Sequence, residues 1–255
     1  MMVIKLVLQY DGTDYSGWQV QKREKTIQSV LESAIRTITG EQVRVTGAGR
    51  TDAGVHALRQ VAAFRTRPHL KANVLFRALK ANLPSDIYVV RATECDSDFH
   101  PRFDAKRKTY SYIISSTGLF SVFLKRYSWQ IPYEMNISSM RKAAKLLVGQ
   151  HDFSCFRASG CSSKSAVRTI KGISISRTDA FGFIGFQFRA PLIKISIQAD
   201  AFLRHMARNI VGTLVEVGRG KVPAQEMKRI MESKDRKCAG QTAPAQGLFM
   251  EKIVY

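Results

Sequence analysis

The sequence predicts an α+β protein built from two ferredoxin-like halves. Three observations carry that prediction. The first hundred or so residues alternate in hydrophobic period in the order β-α-β-β-α-β. The same order recurs after a linker at Cys95–Ala105. The chain, at 255 residues, is also long enough for two modest domains with cores of their own. The expected halves are 1–104 and 105–255, with their sheets joined edge to edge into one mixed, largely antiparallel sheet that leaves a central cleft. No sequence repeat accompanies the repeated order of elements.

In the first half, Val3–Tyr10 alternates as a strand closed by Asp11-Gly12. Thr26 caps a helix whose Ile27, Val30, Leu31, Ala34, Ile35 and Ile38 fall at helical spacing, and Gly40 ends it. Strands are expected at Gln42–Thr46 and Val55–Thr66, then a helix at Leu70–Asn82 stopped by Leu83-Pro84 and a strand at Ile87–Thr93. In the second half Lys108–Ser115 reads as a strand and Ser138–Leu147 as a helix. Strands follow at Thr169–Arg177 and Phe183–Gln198, the latter broken near Pro191. A long helix is expected over Asp200–Val217, with Phe202, Met206, Ile210 and Val211 as its core stripe and Arg204 and Arg208 on one face. A short helix at Pro223–Ser233 and a strand at Phe249–Val254 complete this half.

Forty basic residues stand against twenty acidic ones, a net charge of +20 spread along the whole chain. That balance predicts a broad basic face, and so a nucleic acid or an anionic membrane as partner. No apolar run reaches transmembrane length, and Met1–Tyr10 alternates as a strand instead of reading as a signal peptide. A cytoplasmic protein with no membrane partner is expected. The four cysteines, Cys95, Cys155, Cys161 and Cys238, form no CxxC pair, which favours scattered reduced thiols over a zinc site.

Between two strand-like runs lies Gly47-Ala48-Gly49-Arg50-Thr51-Asp52-Ala53-Gly54-Val55-His56-Ala57. The loop is nearly bare of bulk, so a large planar substrate can approach its backbone. Into it are set one acid, Asp52, one fixed cation, Arg50, and one hydroxyl, Thr51. A hairpin with an ordinary turn aspartate is the simpler reading. The loop is longer than most hairpin connections and carries charge, which favours function. Two readings also stand for Trp18, beside Gln19 and the basic Lys22, Arg23 and Lys25: a loop anchor in a core, or a stacking platform for a base. On Lys106–Tyr112, basic, hydroxyl and aromatic residues alternate, with Tyr110 and Tyr112 on one face. Either these are paired aromatics of a half-buried strand, or one tyrosine floors a pocket against a base.

Gly49-Arg50-Thr51-Asp52-Ala53-Gly54-Val55-His56-Ala57 resembles the signature of the TruA-type tRNA pseudouridine synthases over nine contiguous residues. The resemblance implies that Asp52 is the catalytic residue. The family has a similar Trp-Gln segment at Trp18, and its lysine/arginine-rich Tyr-x-Tyr segment implies an active-site tyrosine at Tyr110. The helix segment places an arginine beside the catalytic aspartate, which falls on Arg208, preceded here by Ala207 where the family usually has valine. His100-Pro101-Arg102-Phe103, His151-Asp152-Phe153 and Thr242-Ala243-Pro244-Ala245-Gln246-Gly247-Leu248 resemble further family segments, in family order. Between Thr178 and Ala199 the chain reads as longer than the family norm, with an extra turn or hairpin near Phe181–Leu192. The resemblance implies a pseudouridine synthase fold, a homodimer, and uridines 38, 39 and 40 of the tRNA anticodon arm as targets.

Isomerising uridine breaks the glycosidic N–C bond, turns the freed uracil and rejoins it through carbon. Nothing is oxidised and nothing leaves, so no cofactor and no metal are required. A carboxylate can act as nucleophile or base, and an arginine beside it favours its charged form. Asp52 and Arg208 are the expected pair, Tyr110 the expected floor and substrate contact, and Arg50 the group that fills the flipped base's place or grips the flanking phosphate. Whether Asp52 attacks the base, attacks the sugar or takes a proton is open at this stage. Three rivals remain: a non-catalytic RNA-binding protein, a metal-dependent RNA hydrolase, and a pseudouridine synthase with a different choice of site. The hydrolase would need a cluster of carboxylates, and none is visible in the sequence.

Overall fold

A computed structural model describes residues 1–68, 70–116, 121–183, 186–188 and 191–255. The chain divides into two compact units, Met1–Lys106 with Phe249–Tyr255, and Arg107–Leu248.

In the first unit β1 (Met2–Tyr10) lies between β3 (His56–Thr66) and β4 (Ile87–Cys95), antiparallel to both. The far edge of β3 takes two partners at different heights. β2 (Thr46–Gly47) pairs antiparallel at Ala62 and Ala63, and the last strand, β12 (Leu248–Val254), runs parallel beside His56 and Ala57. Expected in the second half, the last strand belongs with the first unit, which takes in Phe249–Tyr255. Helices α1 (Ile27–Thr39) and α2 (Ala72–Asn82) supply the crossovers. Thr26 and Ser29 exchange side-chain to backbone bonds as a capping box, and Gly40 (φ 72) ends α1 by donating its N–H to the Arg36 carbonyl. Ile27, Leu31, Ala34 and Ile35 form the buried stripe of α1.

The expected strand at Gln42–Thr46 shrinks to Thr46–Gly47. The reason is local. The Val45 N–H donates to Glu32 Oε1 and the Val45 carbonyl accepts from Gln28 Nε2, so side chains of α1 meet the needs a neighbouring strand would have met.

In the second unit β11 (Leu192–Ala199) runs antiparallel between β5 (Arg107–Ser116) and β8 (Val167–Thr178). Two strands not expected from the sequence widen this sheet: β6 (Trp129–Ile131), parallel to β5, and β7 (Gly149–Asp152), antiparallel to β8. The predicted strand over Phe183–Gln198 divides. Its first part joins a separate antiparallel hairpin of β9 (Phe181–Phe183) and β10 (Phe186–Phe188), and its second part is β11. Parts of the expected extra segment, at 184, 185, 189 and 190, lie outside the described residues. Helices α3 (Ile137–Lys145), α4 (Met206–Gly218) and α5 (Glu226–Ser233) complete the unit.

The long helix corrects the sequence reading. It begins at Met206, not at Asp200, because His205 takes a left-handed backbone (φ 61) that no α-helix passes through. Upstream, Asp200 Oδ1 accepts the N–H groups of Ala201 and Thr169, an arrangement that competes with helix formation. Phe202 and Arg204 therefore precede the helix, and Arg204 shares no helical face with Arg208. Met206, Ile210 and Val211 are fully buried, as their spacing predicts.

Candidate active site

The signature loop leaves β2 at Gly47 and enters β3 at His56, and bonds to its backbone tie it down along its length. Ala48 N–H donates to the Val61 carbonyl at 2.8 Å, and Gln60 Nε2 donates to the Gly49 carbonyl at 2.8 Å. The Thr51 carbonyl accepts from Trp18 N–H at 3.0 Å. The Asp52 carbonyl accepts from Val55 N–H at 3.1 Å, closing a turn whose third residue, Gly54, has φ 75. The loop thus leaves Arg50 exposed, buries Thr51, and holds Asp52 half-buried between them and the turn.

Close packing explains why the surrounding residues are so small. A Cβ on Gly17 (φ +88) would stand 2.6 Å from the Thr51 carbonyl oxygen, and one on Gly12 would stand 2.0 Å from that of Val55. A Cβ on Gly47 would meet the Trp18 indole at 2.6 Å. Trp18 is 2% exposed and tilts against the Tyr10 ring at 6.3 Å, so of its two readings the core anchor holds. Burial pushes the Tyr10 hydroxyl up to about 12, hydrogen bonds to Thr51 and Gln60 pulling the other way, and the group stays protonated beside Thr51 Oγ1 at 2.8 Å. His56, buried at the loop's exit, accepts the Gly12 N–H on Nδ1 at 3.1 Å and stacks on Phe249 at 4.8 Å.

Tyr110 and Arg208 belong to the second unit. Tyr110 is buried in β5, edge-on to Phe202 at 4.8 Å. Tyr112, two residues along, is fully buried and donates its hydroxyl to the Pro244 carbonyl at 2.7 Å. Burial raises its pKa above the ordinary tyrosine value, opposed by the positive charge of Arg208. Arg208 is clamped by the segment after α5: its Nε donates to the Ala243 carbonyl at 2.7 Å, and its own carbonyl accepts from Ala243 N–H at 3.1 Å. Gly247 lies so close to Tyr112 that a Cβ would meet the ring at 2.6 Å.

The next residue on α4, Asn209, is a buried hub. Its Nδ2 donates to the Phe156 carbonyl at 2.8 Å, and its Oδ1 accepts from Thr242 Oγ1 at 2.7 Å and from an Arg236 nitrogen at 3.1 Å. One turn on, Gly212 packs so tightly on Gln241 that a Cβ would overlap its carbonyl oxygen at 1.7 Å. Three segments that are far apart in sequence, His151–Arg157, Arg208–Gly212 and Thr242–Gly247, are thereby brought to one place. Among the described residues no three His, Cys, Asp or Glu side chains gather as metal ligands. All four cysteines are free thiols.

Of the residues expected from sequence, Arg50 and Asp52 bracket buried Thr51 in the first unit. In the second, Arg208 places its charge against Tyr112, on the same strand as Tyr110. Tyr10, Gly17, Tyr112 and Asn209 went unassigned by the sequence reading. Only the alternation of β5 hinted at Tyr112; the others act through partners far along the chain.

A fold of ferredoxin-type crossovers around a glycine-rich loop with a single acid defines a class, and the relatives give it a name. The chain belongs to the tRNA pseudouridine synthase family, whose family model, described as tRNA pseudouridine synthase, matches residues 6–104 and 143–255. Asp52 and Arg208 fall inside the matched segments, and Tyr110 falls between them. The chain is 47% identical over 255 residues to tRNA pseudouridine synthase A of Thermoanaerobacter sp. (strain X514), covering all of both chains. It is 44% identical to the protein of that name from Acetivibrio thermocellus and 38% identical to that from Thermodesulfovibrio yellowstonii, again over 255 residues and the whole of each chain.

Proposed function

We propose that this protein isomerises uridine to pseudouridine in tRNA, at uridines 38, 39 and 40 of the anticodon arm, with Asp52 as its catalytic carboxylate. The observation that carries the reading is Asp52 itself: the acid of the signature loop, half-buried, on a backbone held at Thr51 and at its own carbonyl. A group so placed is preorganised for a reacting atom brought to it. Arg208 supplies the positive charge of the catalytic set, Tyr110 floors the pocket for the detached uracil, and Arg50 contacts the RNA beside the flipped nucleotide.

In the reaction the bond from C1′ to the uracil nitrogen breaks, the ring turns, and a bond from C1′ to C5 forms. The C5 hydrogen leaves as a proton and the freed nitrogen gains one, so the product is an isomer of the substrate. Asp52 begins the sequence as nucleophile or base. The net charge of +20 suits a polyanionic substrate, with phosphate contacts supplying affinity and RNA shape selecting the stem-loop. The protein acts in the cytoplasm as a homodimer.

Release of tritium from C5-labelled uridine in tRNA transcripts tests the proposal, with wild type and Asp52→Ala side by side. Release by wild type alone, mapped to positions 38 to 40, is the expected result. Release by both refutes the role of Asp52. Release by neither, with tRNA binding intact, leaves a non-catalytic RNA-binding protein.

A further inference from the structure

The second unit holds an open cavity of about 450 Å³, lined by the loop Arg157–Cys161 and by Lys234, Asp235 and Arg236 after α5. It belongs to none of the residues given a role above except Arg236, which holds Asn209. Its volume falls in the range of ligand sites, roughly 300–1,000 Å³. Its lining does not. Such sites are mostly apolar and aromatic, and here the described lining residues include no aromatic and no branched aliphatic side chain. Nothing is present on which a base would stack. Arginine, lysine, serine hydroxyls and backbone around a concave surface are the groups that hold phosphate and sugar.

The loop is built to keep this shape. Arg204, just before α4, accepts the Ala158 N–H on its carbonyl at 3.1 Å and donates from its guanidinium to the Ser159 carbonyl at 3.2 Å. Gly160 turns there with φ +69. Across the cavity Lys234 takes a left-handed backbone, and Arg236 is fixed by its bonds to Asn209, Thr242 and the Ala239 carbonyl. Arg157, Lys234 and Arg236 thus stand against two acids, Asp235, whose Oδ1 is engaged by the Lys237 N–H at 2.9 Å, and Asp152, whose Oδ2 meets Lys234 Nζ at 3.4 Å, so one positive charge is left in excess.

We propose that this cavity is a phosphate-backbone subsite for RNA, in which Arg157, Lys234 and Arg236 hold the sugar-phosphate chain of the tRNA at a nucleotide other than the one isomerised. The inference rests on the tRNA reading above for the identity of the ligand.

Cys161 in the lining reports occupancy. Burial raises its thiol pKa, but backbone N–H groups of Arg204 and Ser163 and the charges of Arg157 and Arg168 outweigh that and lower it, the direction that favours reaction with an alkylating probe. Labelling of Cys161 by iodoacetamide is followed by peptide mass, with exposed Cys238 as the internal reference. Saturating tRNA is expected to slow Cys161 labelling about tenfold, while millimolar inorganic phosphate leaves it unchanged. Arg157→Ala and Lys234→Asn are each expected to weaken tRNA binding about tenfold and to lower the slope of log K against log salt by about 1. Lys228→Ala, which removes an equal charge from the outer face of α5, is expected to do neither.

If tRNA binds the wild type and Cys161 labels at its free rate, this inference fails and the function reading stands. Protection by inorganic phosphate alone assigns the cavity to a small anion and overturns the RNA subsite. An equal loss in Lys228→Ala makes the effect one of net charge and overturns it too. If the wild type binds no tRNA, both readings fall.

Discussion

The Tyr10 hydroxyl and Thr51 Oγ1 lie 2.8 Å apart in the buried interior of the first unit, joining β1 to the residue that precedes Asp52. Thr51 is the immediate neighbour of the acid, so this bond anchors the signature loop one residue from Asp52. Burial keeps the tyrosine protonated up to about 12, so the bond persists through any ordinary assay range.

Tyr10→Phe removes the buried hydrogen bond to Thr51 and the longer one from Gln60 at 3.5 Å, and leaves the ring in place. The expected cost is about 1 kcal/mol of stability, with kcat lowered more than KM changes and no pH dependence of the effect between neutral and mildly alkaline conditions. Steady-state kinetics with tRNA and thermal unfolding check it together. A kcat equal to wild type would show that Asp52 is positioned without this bond.

Gly17→Ala forces a Cβ to 2.6 Å from the Thr51 carbonyl oxygen on a backbone with φ +88. The loop must move, and displacement of a catalytic group by about 1 Å costs on the order of a hundredfold in rate. Gly40→Ala is the matched control: it also has positive φ (+72), but its Cβ meets nothing within 4 Å. The control is expected to lose about 1–2 kcal/mol of stability and no activity.

Asn209→Ala leaves the Phe156 carbonyl without this buried donor and takes from the Thr242 hydroxyl its acceptor and from an Arg236 nitrogen one of its two. The expected loss is about 2–4 kcal/mol in denaturant unfolding, because unsatisfied buried groups carry their full desolvation cost. Since Thr242 adjoins the Ala243 that clamps Arg208, activity should fall at temperatures where the variant is still folded.

Asp152 titrates below the usual carboxylate value, chiefly because Ser154 Oγ donates to it at 2.6 Å; partial burial opposes this, and the Ser154 N–H and Lys234 assist. A depressed folded-state pKa adds stability above the unfolded value of about 3.8 and loses it as pH falls through the folded value. Asp152→Asn is therefore expected to be less stable than wild type near neutrality, by under about 1 kcal/mol because the Lys234 contact is solvent-exposed. The gap should close in acid, and unfolding free energies measured from neutral pH down through the carboxylate range check this sign.

How much of this was legible in the sequence differs from residue to residue. The capping box of α1 and its stop at Gly40 were readable because caps act within a turn of the residues they cap. The start of α4 was not: Asp200–His205 keeps helical spacing, and only the left-handed His205 and the bonds of Asp200 to Thr169 end that pattern. The strand before the signature loop was lost for a similar reason, since Gln28 and Glu32 on α1 took the backbone groups of Val45.

By itself the sequence determined the βαββαβ order of the first half, the net positive charge and the signature loop with Asp52, because periodicity, charge and a contiguous motif are local or additive properties. Tertiary structure alone decided that Tyr10 reaches Thr51, 41 residues away, that Asn209 joins Phe156 to Thr242, and that the last strand lies beside β3. A buried donor or acceptor must find a partner wherever the packed chain offers one, and that choice is made through space, where neighbours in sequence carry no sign of it.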